Sequence, residues 1–232
     1  MSLTVSTVIV SAAPKESAFC TNLTTTISKV DTNIANLKSK LATSRANRDQ
    51  AIANNHAKWD QQLKDSRTKW DQQRSDNFTK LEGRAKTAAQ TSAVKTYETA
   101  IQNAVSTRRS ANDTARATYR AGVDNALVSQ RSITDRQLAT FSTSVASAEA
   151  TAQAGCQATP TNGSSLRTSF QVSMKSARAT YTAARKADSN ISSQIKQLAA
   201  TRNASFQAND TAFKVATDSA RVALKAAFGK NA

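Results

Sequence analysis

The sequence predicts an all-α protein: an elongated, up-down-up bundle of three long helices that follows a short apolar N-terminal segment. Turn-forming residues are too scarce for a sheet, because only 5 Gly and 2 Pro occur among 232 residues. Ala, Ser and Thr together supply 99 residues, and side chains this small suit a thin core between closely packed helices. Apolar residues also recur at steps of three and four, which is the period of an amphipathic helix.

The first helix is predicted over residues 15–82. Pro14 suits its first position, where a missing N–H costs nothing, and Gly83 suits the position just after its end. The apolar stripe of this segment runs from Leu23 to Leu81 at helical spacing. The segment is therefore predicted to bury one continuous face.

The second helix is predicted over residues 88–154 and the third over 165–228, with a glycine directly after each. Thr87 and Gln90 match the Thr-x-x-Gln pattern of a capping box at the start of the second helix. The apolar spacing averages about 3.6 residues per turn rather than 3.5, which predicts nearly straight helices.

A short internal repeat marks the first helix. Lys-Trp-Asp-Gln-Gln occurs at 58–62 and again at 69–73, eleven residues later. Eleven residues make about three helical turns, so the two tryptophans are predicted to share one face. They are predicted to lie in the core; the alternative is a stacked aromatic cage for a ligand. The aspartates of the repeat, Asp60 and Asp71, are predicted to face solvent. The predicted core aromatic layer consists of Trp59, Trp70, Tyr119 and Phe206.

The two cysteines test this topology. Cys20 lies near the start of the first helix and Cys156 just after the end of the second. In an antiparallel hairpin that turns near residue 86, these positions fall opposite each other. The sequence therefore predicts a Cys20–Cys156 disulfide and an oxidising compartment.

Several arginines fall on or beside the apolar stripes. Two interpretations stay open for them. In the first, their aliphatic stems cover apolar surface while the guanidinium reaches water; in the second, they form a line of interhelical ion pairs or anion contacts. The arginines concerned are Arg45, Arg48, Arg74, Arg108, Arg131 and Arg202.

The segment 1–13 differs from the rest, because it is apolar, rich in β-branched residues and ends in small ones. It has the character of the second half of an export signal without the basic start. The alternative is a segment that docks onto a neighbouring subunit. The side chains predicted to dock are Leu3, Val5, Val8, Ile9 and Val10.

No catalytic pattern is present in the sequence. Phosphate-binding glycine loops, zinc-binding Cys/His spacings and nucleophile motifs are all missing. His56 has no acidic or cysteine neighbour and is predicted to be a rim residue. We therefore predict that the protein is not an enzyme and has no cofactor, no metal site and no small-molecule substrate.

The formal net charge is +16 and is spread along the whole chain. A field of this sign favours acidic partners such as nucleic acid or an anionic cell envelope. The residues predicted to bind a polyanion are Lys175, Arg178, Arg185, Lys186 and Lys196.

From shape and compartment, the sequence predicts a non-catalytic extracellular structural protein. It would be secreted or surface-displayed and would self-associate, as a homo-oligomer or filament, in an appendage or stalk. The alternative is a basic helical module that binds an acidic polymer, either DNA or the anionic cell envelope.

Overall fold

The computed structural model describes residues 15–187 and 191–229. It contains four helices: α1 (Ala18–Arg84), α2 (Ala88–Ala158), α3 (Gly163–Ala187) and α4 (Ile191–Phe228). The prediction of an all-α helical bundle is confirmed. The predicted third helix is represented by α3 and α4, on either side of residues 188–190. The segment 1–13 lies outside the described residues.

Two helix starts are set by local hydrogen bonds. The Cys20 N–H donates to Ser17 Oγ at 3.3 Å, so Ser17 caps α1 and the helix begins three residues later than predicted. At α2, the Gln90 N–H donates to Thr87 Oγ1 at 3.2 Å. The Gln90 side chain accepts from the Lys86 N–H at 2.8 Å. The predicted cap is therefore confirmed, but its return bond reaches the N–H one residue before the one used in the standard capping box.

The glycines end helices less often than the sequence predicts. Gly229, with φ of +81°, follows the end of α4 as predicted. Gly83 and Gly155 instead lie inside α1 and α2, and neither has a positive φ. One glycine weakens a helix by only about 1 kcal/mol. At Gly155 the missing side chain also admits Leu166 of α3, whose Cδ2 occupies the space that a Cβ would need.

The chain divides into two compact units, each built from three helical segments. The first unit combines residues 15–45 of α1, 131–158 of α2 and α3. Its α1 and α2 segments are antiparallel, because the start of α1 lies beside the end of α2. The Ser17 N–H donates to the Pro160 carbonyl at 2.9 Å and ties the start of α1 to the loop before α3. The buried cluster of this unit consists of Leu23, Ala148, Ala152 and Phe170.

The second unit combines residues 46–84 of α1, 88–130 of α2 and α4. Its buried apolar side chains, Val94, Ile101 and Leu127, all come from α2. In the described parts of α4 no side chain is fully buried. Gly122 allows α2 to approach α4, because a Cβ at this position would lie 2.7 Å from Leu198 Cδ2. The core of this unit is therefore thin.

Glu149 is a buried acid in the first unit, on α2. Its side chain is almost fully covered, and its Oε1 has no hydrogen-bond partner among the described residues. Burial raises the pKa of this carboxyl, and the nearby Asp31 of α1 raises it further. The ionised form of Glu149 therefore opposes folding.

We expect Glu149→Gln to raise the free energy of unfolding at neutral pH by about 1 kcal/mol, because a buried unpaired charge is removed. The folded-state pKa is raised, so the folded chain holds this proton to higher pH than the unfolded chain. The stability that protonated Glu149 confers is full below its ordinary pKa and is lost as pH rises through the raised value. Urea denaturation across this range measures the difference. A gain that is equally large at low pH would contradict the expectation.

Candidate functional site

The two cysteines form the predicted disulfide. Cys20 and Cys156 are bonded, with their Cα atoms 5.4 Å apart. The bond joins the first turns of α1 to the last turns of α2 within the first unit. The buried cluster of that unit packs directly against Cys156.

The prediction that both tryptophans lie in the core is wrong. Trp59 is 67% exposed and Trp70 is 63% exposed. The other two members of the predicted layer, Tyr119 and Phe206, are half-buried. The predicted register is nevertheless correct for three of them, since Trp59, Tyr119 and Phe206 line the same hollow of the second unit.

The repeat aspartates face solvent as predicted, with 55% of the Asp60 side chain and 43% of the Asp71 side chain exposed, but both also bind arginines of α2, which the sequence did not predict. Asp60 accepts two hydrogen bonds from Arg120 of α2, at 2.7 and 2.9 Å. Asp71 accepts two from Arg109 of α2, also at 2.7 and 2.9 Å, and a third from Arg74. The two arginines are eleven residues apart, as are the two aspartates. The repeat of α1 is therefore matched by a repeat of arginines on α2.

These pairs favour the ion-pair interpretation of the arginines beside the stripes. Arg108 of α2 pairs with Asp210 of α4 at 2.7 Å. In the first unit, Arg45 of α1 pairs with Asp135 of α2 at 2.8 Å. Both units thus use charge-assisted hydrogen bonds between helices.

Asp71 provides a test of these interhelical pairs. Hydrogen bonds from Arg109 and, to a smaller extent, Arg74 together lower the pKa of Asp71 to about 2, against an opposing effect of burial. We expect Asp71→Asn to reduce the free energy of unfolding by about 0.5–1 kcal/mol; the value is small because the side chain is 43% exposed and solvent screens the pair.

The contribution of Asp71 depends on pH. Its folded-state pKa is depressed, so this stability is present above the ordinary pKa of 3.8 and is lost as pH falls towards 2. Urea denaturation between these limits measures the effect. The control is Asp65→Asn on the same helix, whose carboxylate accepts from Gln61 and forms no ion pair among the described residues. Equal losses in the two variants would contradict the interhelical role.

The hollow that contains Trp59 is an open groove of the second unit, which we call the arginine–aromatic groove. It has a volume of about 1020 Å³ and is walled by α1, α2 and α4. The Arg202 guanidinium carbon lies 4.5 Å from the centroid of the Tyr119 ring. The Arg116 guanidinium carbon lies 5.5 Å from the centroid of the Phe206 ring. Both distances suit cation–π contacts.

A second hollow adjoins this groove. Its lining includes Trp70, and it shares Leu63, Ser66 and Arg116 with the lining of the first hollow. Its volume is about 600 Å³. The two exposed tryptophans therefore stand along one continuous groove of the second unit. His56, predicted as a rim residue, is half-buried and lines the first hollow.

The residues predicted to bind a polyanion do not all lie together. Lys196 is on α4 in the second unit, whereas the other four are exposed on α3 in the first. With Arg167, those four occupy an arc of about 100° on α3, beside its apolar face. No acidic residue occurs within α3. We call this set the α3 basic stripe: Arg167, Lys175, Arg178, Arg185 and Lys186.

The cations of the α3 basic stripe differ from the paired arginines described above, because they have no counterions. None of its five side chains forms an ion pair with any residue that the structure describes. A wheel plotted over α3 alone would have found the stripe. A wheel of the predicted 64-residue third helix shows it as well, because Lys196, Lys214, Arg221 and Lys225 of α4 fall within the same arc and only Arg202 lies outside it.

One exposed face of α4 carries no charged residue, and it lies beside the face that carries Lys214, Asp218 and Lys225. Val215 is 62% exposed and Val222 is 68% exposed. The two valines are seven residues apart in sequence. Residues with small side chains lie before, between and after them, so that the whole set is spaced by alternating steps of four and three, as in a coiled-coil seam. We call this the outward face of α4: Ala208, Ala212, Val215, Ser219, Val222 and Ala226, all exposed.

Among the described residues, no helix is apolar over a length sufficient to span a bilayer. Within residues 15–187 and 191–229, no three His, Cys, Asp or Glu side chains are grouped as a metal site requires. Family models, curated proteins and solved structures give no match to this chain.

Proposed function

We propose that this protein is a non-catalytic, extracellular structural subunit that associates with copies of itself. The observation that carries the proposal is the outward face of α4, which exposes two valines and no charge. Exposed apolar surface arranged at coiled-coil spacing is typical of helix-to-helix association. The small side chains of this face would let a second α4 approach closely. The disulfide supports the extracellular location, because such bonds persist in oxidising compartments.

The direct test places charge on the outward face of α4. In Val215→Glu/Val222→Glu, self-association measured by sedimentation velocity and negative-stain imaging is expected to be lost. The helices should remain, because both side chains are exposed. Val172→Glu/Ser176→Glu on α3 adds the same charge at exposed positions and is the control. A wild-type protein that stays monomeric at all concentrations, or an assembly that tolerates the α4 double variant, would refute the proposal.

The apolar N-terminal segment is proposed to dock onto a neighbouring subunit through Leu3, Val5, Val8, Ile9 and Val10. Deletion of residues 2–12 is then expected to leave a folded, disulfide-bonded protein that assembles less far than the full chain. A variant with the same length but a polar sequence in this segment separates apolar docking from simple chain length. If the deleted protein assembles as the full chain does, the segment has no docking role.

A second candidate function is favoured by the α3 basic stripe. Its five cations span about 28 Å of helix and lack counterions. A straight row of this kind suits a linear anionic polymer, which neutralises several charges in turn. With an oxidising compartment, we propose an anionic polymer of the cell envelope as the ligand.

Long-chain polyphosphate is the probe for this second candidate. The wild-type affinity is expected to fall steeply with salt. The variant Arg167→Gln/Lys175→Gln/Arg178→Gln/Arg185→Gln should lower the log–log salt slope by about 3. The control replaces four exposed lysines of α1, Lys29, Lys38, Lys40 and Lys64, by Gln and gives the same net charge. Equal slopes in the two variants would mean that net charge alone, rather than the stripe, attracts the polymer.

A further inference from the structure

We infer that the arginine–aromatic groove and the hollow that adjoins it form a binding site for single-stranded nucleic acid. The site lies wholly within the second unit and goes beyond the proposed structural role. It combines two exposed tryptophans with a concentration of arginines along one groove. Stacking surfaces and a positive groove are the two elements that single-stranded nucleic acid requires.

The groove contains arginines that its carboxylates do not fully neutralise. Arg202 lies over the Tyr119 ring, and its only hydrogen-bond acceptor in the described part of the chain is Asn203 Oδ1, at 2.9 Å from Nη2. No carboxylate of the described residues neutralises it. Arg116 shares its one carboxylate, Asp113, with Arg67. Asp71 likewise serves both Arg74 and Arg109. The carboxylate of Asp65, which also lines the groove, offsets one of these charges, and the groove retains net positive charge.

The groove also offers exposed aromatic surface. Trp59 and Trp70 are about two-thirds exposed, although large aromatic side chains usually bury most of their area. They lie on one face of α1, eleven residues and about 16 Å apart along the helix. Asp60 and Asp71 fix this face by bonding to α2. Ion pairs thus hold both indoles outwards along the groove.

The two indoles and the arginines together favour one class of ligand. A single planar anion would cover one indole and leave the other exposed. A neutral polysaccharide could stack on both indoles but would not use the arginines. A polyanion without rings would use the arginines but not the indoles. A strand of nucleotides supplies planar rings and phosphates at repeated spacing, so it alone matches both features.

The experiment titrates the full-length, disulfide-bonded protein with a labelled thymidylate strand of about 16 nucleotides, long enough to reach both tryptophans. The chain contains only two Trp, so their emission reports on this groove alone. We expect the emission to be quenched on binding. Heparin, a polyanion without bases, should leave the emission unchanged. Oligouridylate tests the same chemistry with ribose and should bind similarly.

Variants separate stacking from charge. Trp59→Ala/Trp70→Ala is expected to weaken binding, measured by anisotropy, by at least about tenfold. Trp59→Phe/Trp70→Phe keeps aromatic rings and should retain most of the affinity. Arg202→Gln should lower the salt slope by about 1. Val128→Ala, which alters another exposed apolar side chain of this unit, is the control and should bind as the wild type does.

Three results would overturn the inference: no binding of either strand at low salt, unchanged affinity in Trp59→Ala/Trp70→Ala, or equal quenching by heparin. If the double alanine variant is unfolded, the wild-type protein still tests the inference, because its emission is compared with the thymidylate strand and with heparin. The α3 stripe variant and the Val215→Glu/Val222→Glu variant should keep the quenching. Loss of envelope-polymer binding or of self-association is therefore distinguishable from loss of this site.

Discussion

Removal of the Cys20–Cys156 bond is expected to lower the free energy of unfolding by about 3–5 kcal/mol. The two cysteines are 136 residues apart in sequence, so the bond closes a very long loop and greatly restricts the unfolded chain. The melting temperature should fall by roughly 10 °C for a protein of this length. Urea denaturation of Cys20→Ala/Cys156→Ala, followed by circular dichroism, measures the loss.

The same bond also holds one end of the first unit together. It lies beside the Ser17–Pro160 hydrogen bond and beside the buried cluster. In the double alanine variant, amide exchange should accelerate first around residues 17–23 and 152–166. Adding reductant to this variant is the control and should change nothing. A loss below about 1 kcal/mol would show that the unfolded chain is already restricted by other means.

Phe170→Ala should destabilise the protein by about 3–5 kcal/mol. Phe170 is 7% exposed and packs in the cluster with Leu23, and its ring centroid is 6.1 Å from that of Phe19. The substitution removes a large apolar side chain and leaves a cavity between α1, α2 and α3. Small alanines at 148 and 152 form the facing wall, and they cannot collapse into the space.

The matched control for this substitution is Phe206→Ala in the second unit. Phe206 is half-buried and lines an open groove, so its loss leaves no closed cavity. We expect a cost of about 1 kcal/mol, measured under the same urea conditions. If the two alanine variants were equally destabilised, the two units would bury their aromatic side chains equally well, contrary to the thin core of the second unit.

Much of the fold was predictable because it depends on local signals. The signals used were the scarcity of Gly and Pro, the 3.6-residue spacing and the Thr87–Gln90 pattern. Each of them depends only on residues that are close in sequence. The cysteine pairing was predictable because two antiparallel helices of known turn position bring Cys20 and Cys156 together. Helix ends at Gly83 and Gly155 were predicted wrongly, since the cost of one glycine is smaller than the gain from continuing a packed helix.

The candidate site was only partly predictable. The register that brings Trp59, Tyr119 and Phe206 to one hollow followed from helix lengths alone. The α3 basic stripe is visible in the sequence on a helical wheel of the predicted third helix, 165–228. The exposure of the tryptophans was not predictable from their spacing, because periodicity gives relative positions on a helix and not the direction in which they point.

The sequence by itself determined that the chain is helical, where its long helices run and which cysteines join, because backbone hydrogen bonding and chain connectivity set these features. Only the tertiary structure decided which face of α1 turns inwards. Trp59 and Asp60 are about 100° apart on the helix, so a rotation of α1 by about that angle would put one in the place of the other. Arg109 and Arg120 of α2 fix that rotation by binding Asp71 and Asp60. Two charge-assisted bonds at each aspartate therefore place the carboxylates against α2 and leave the indoles exposed.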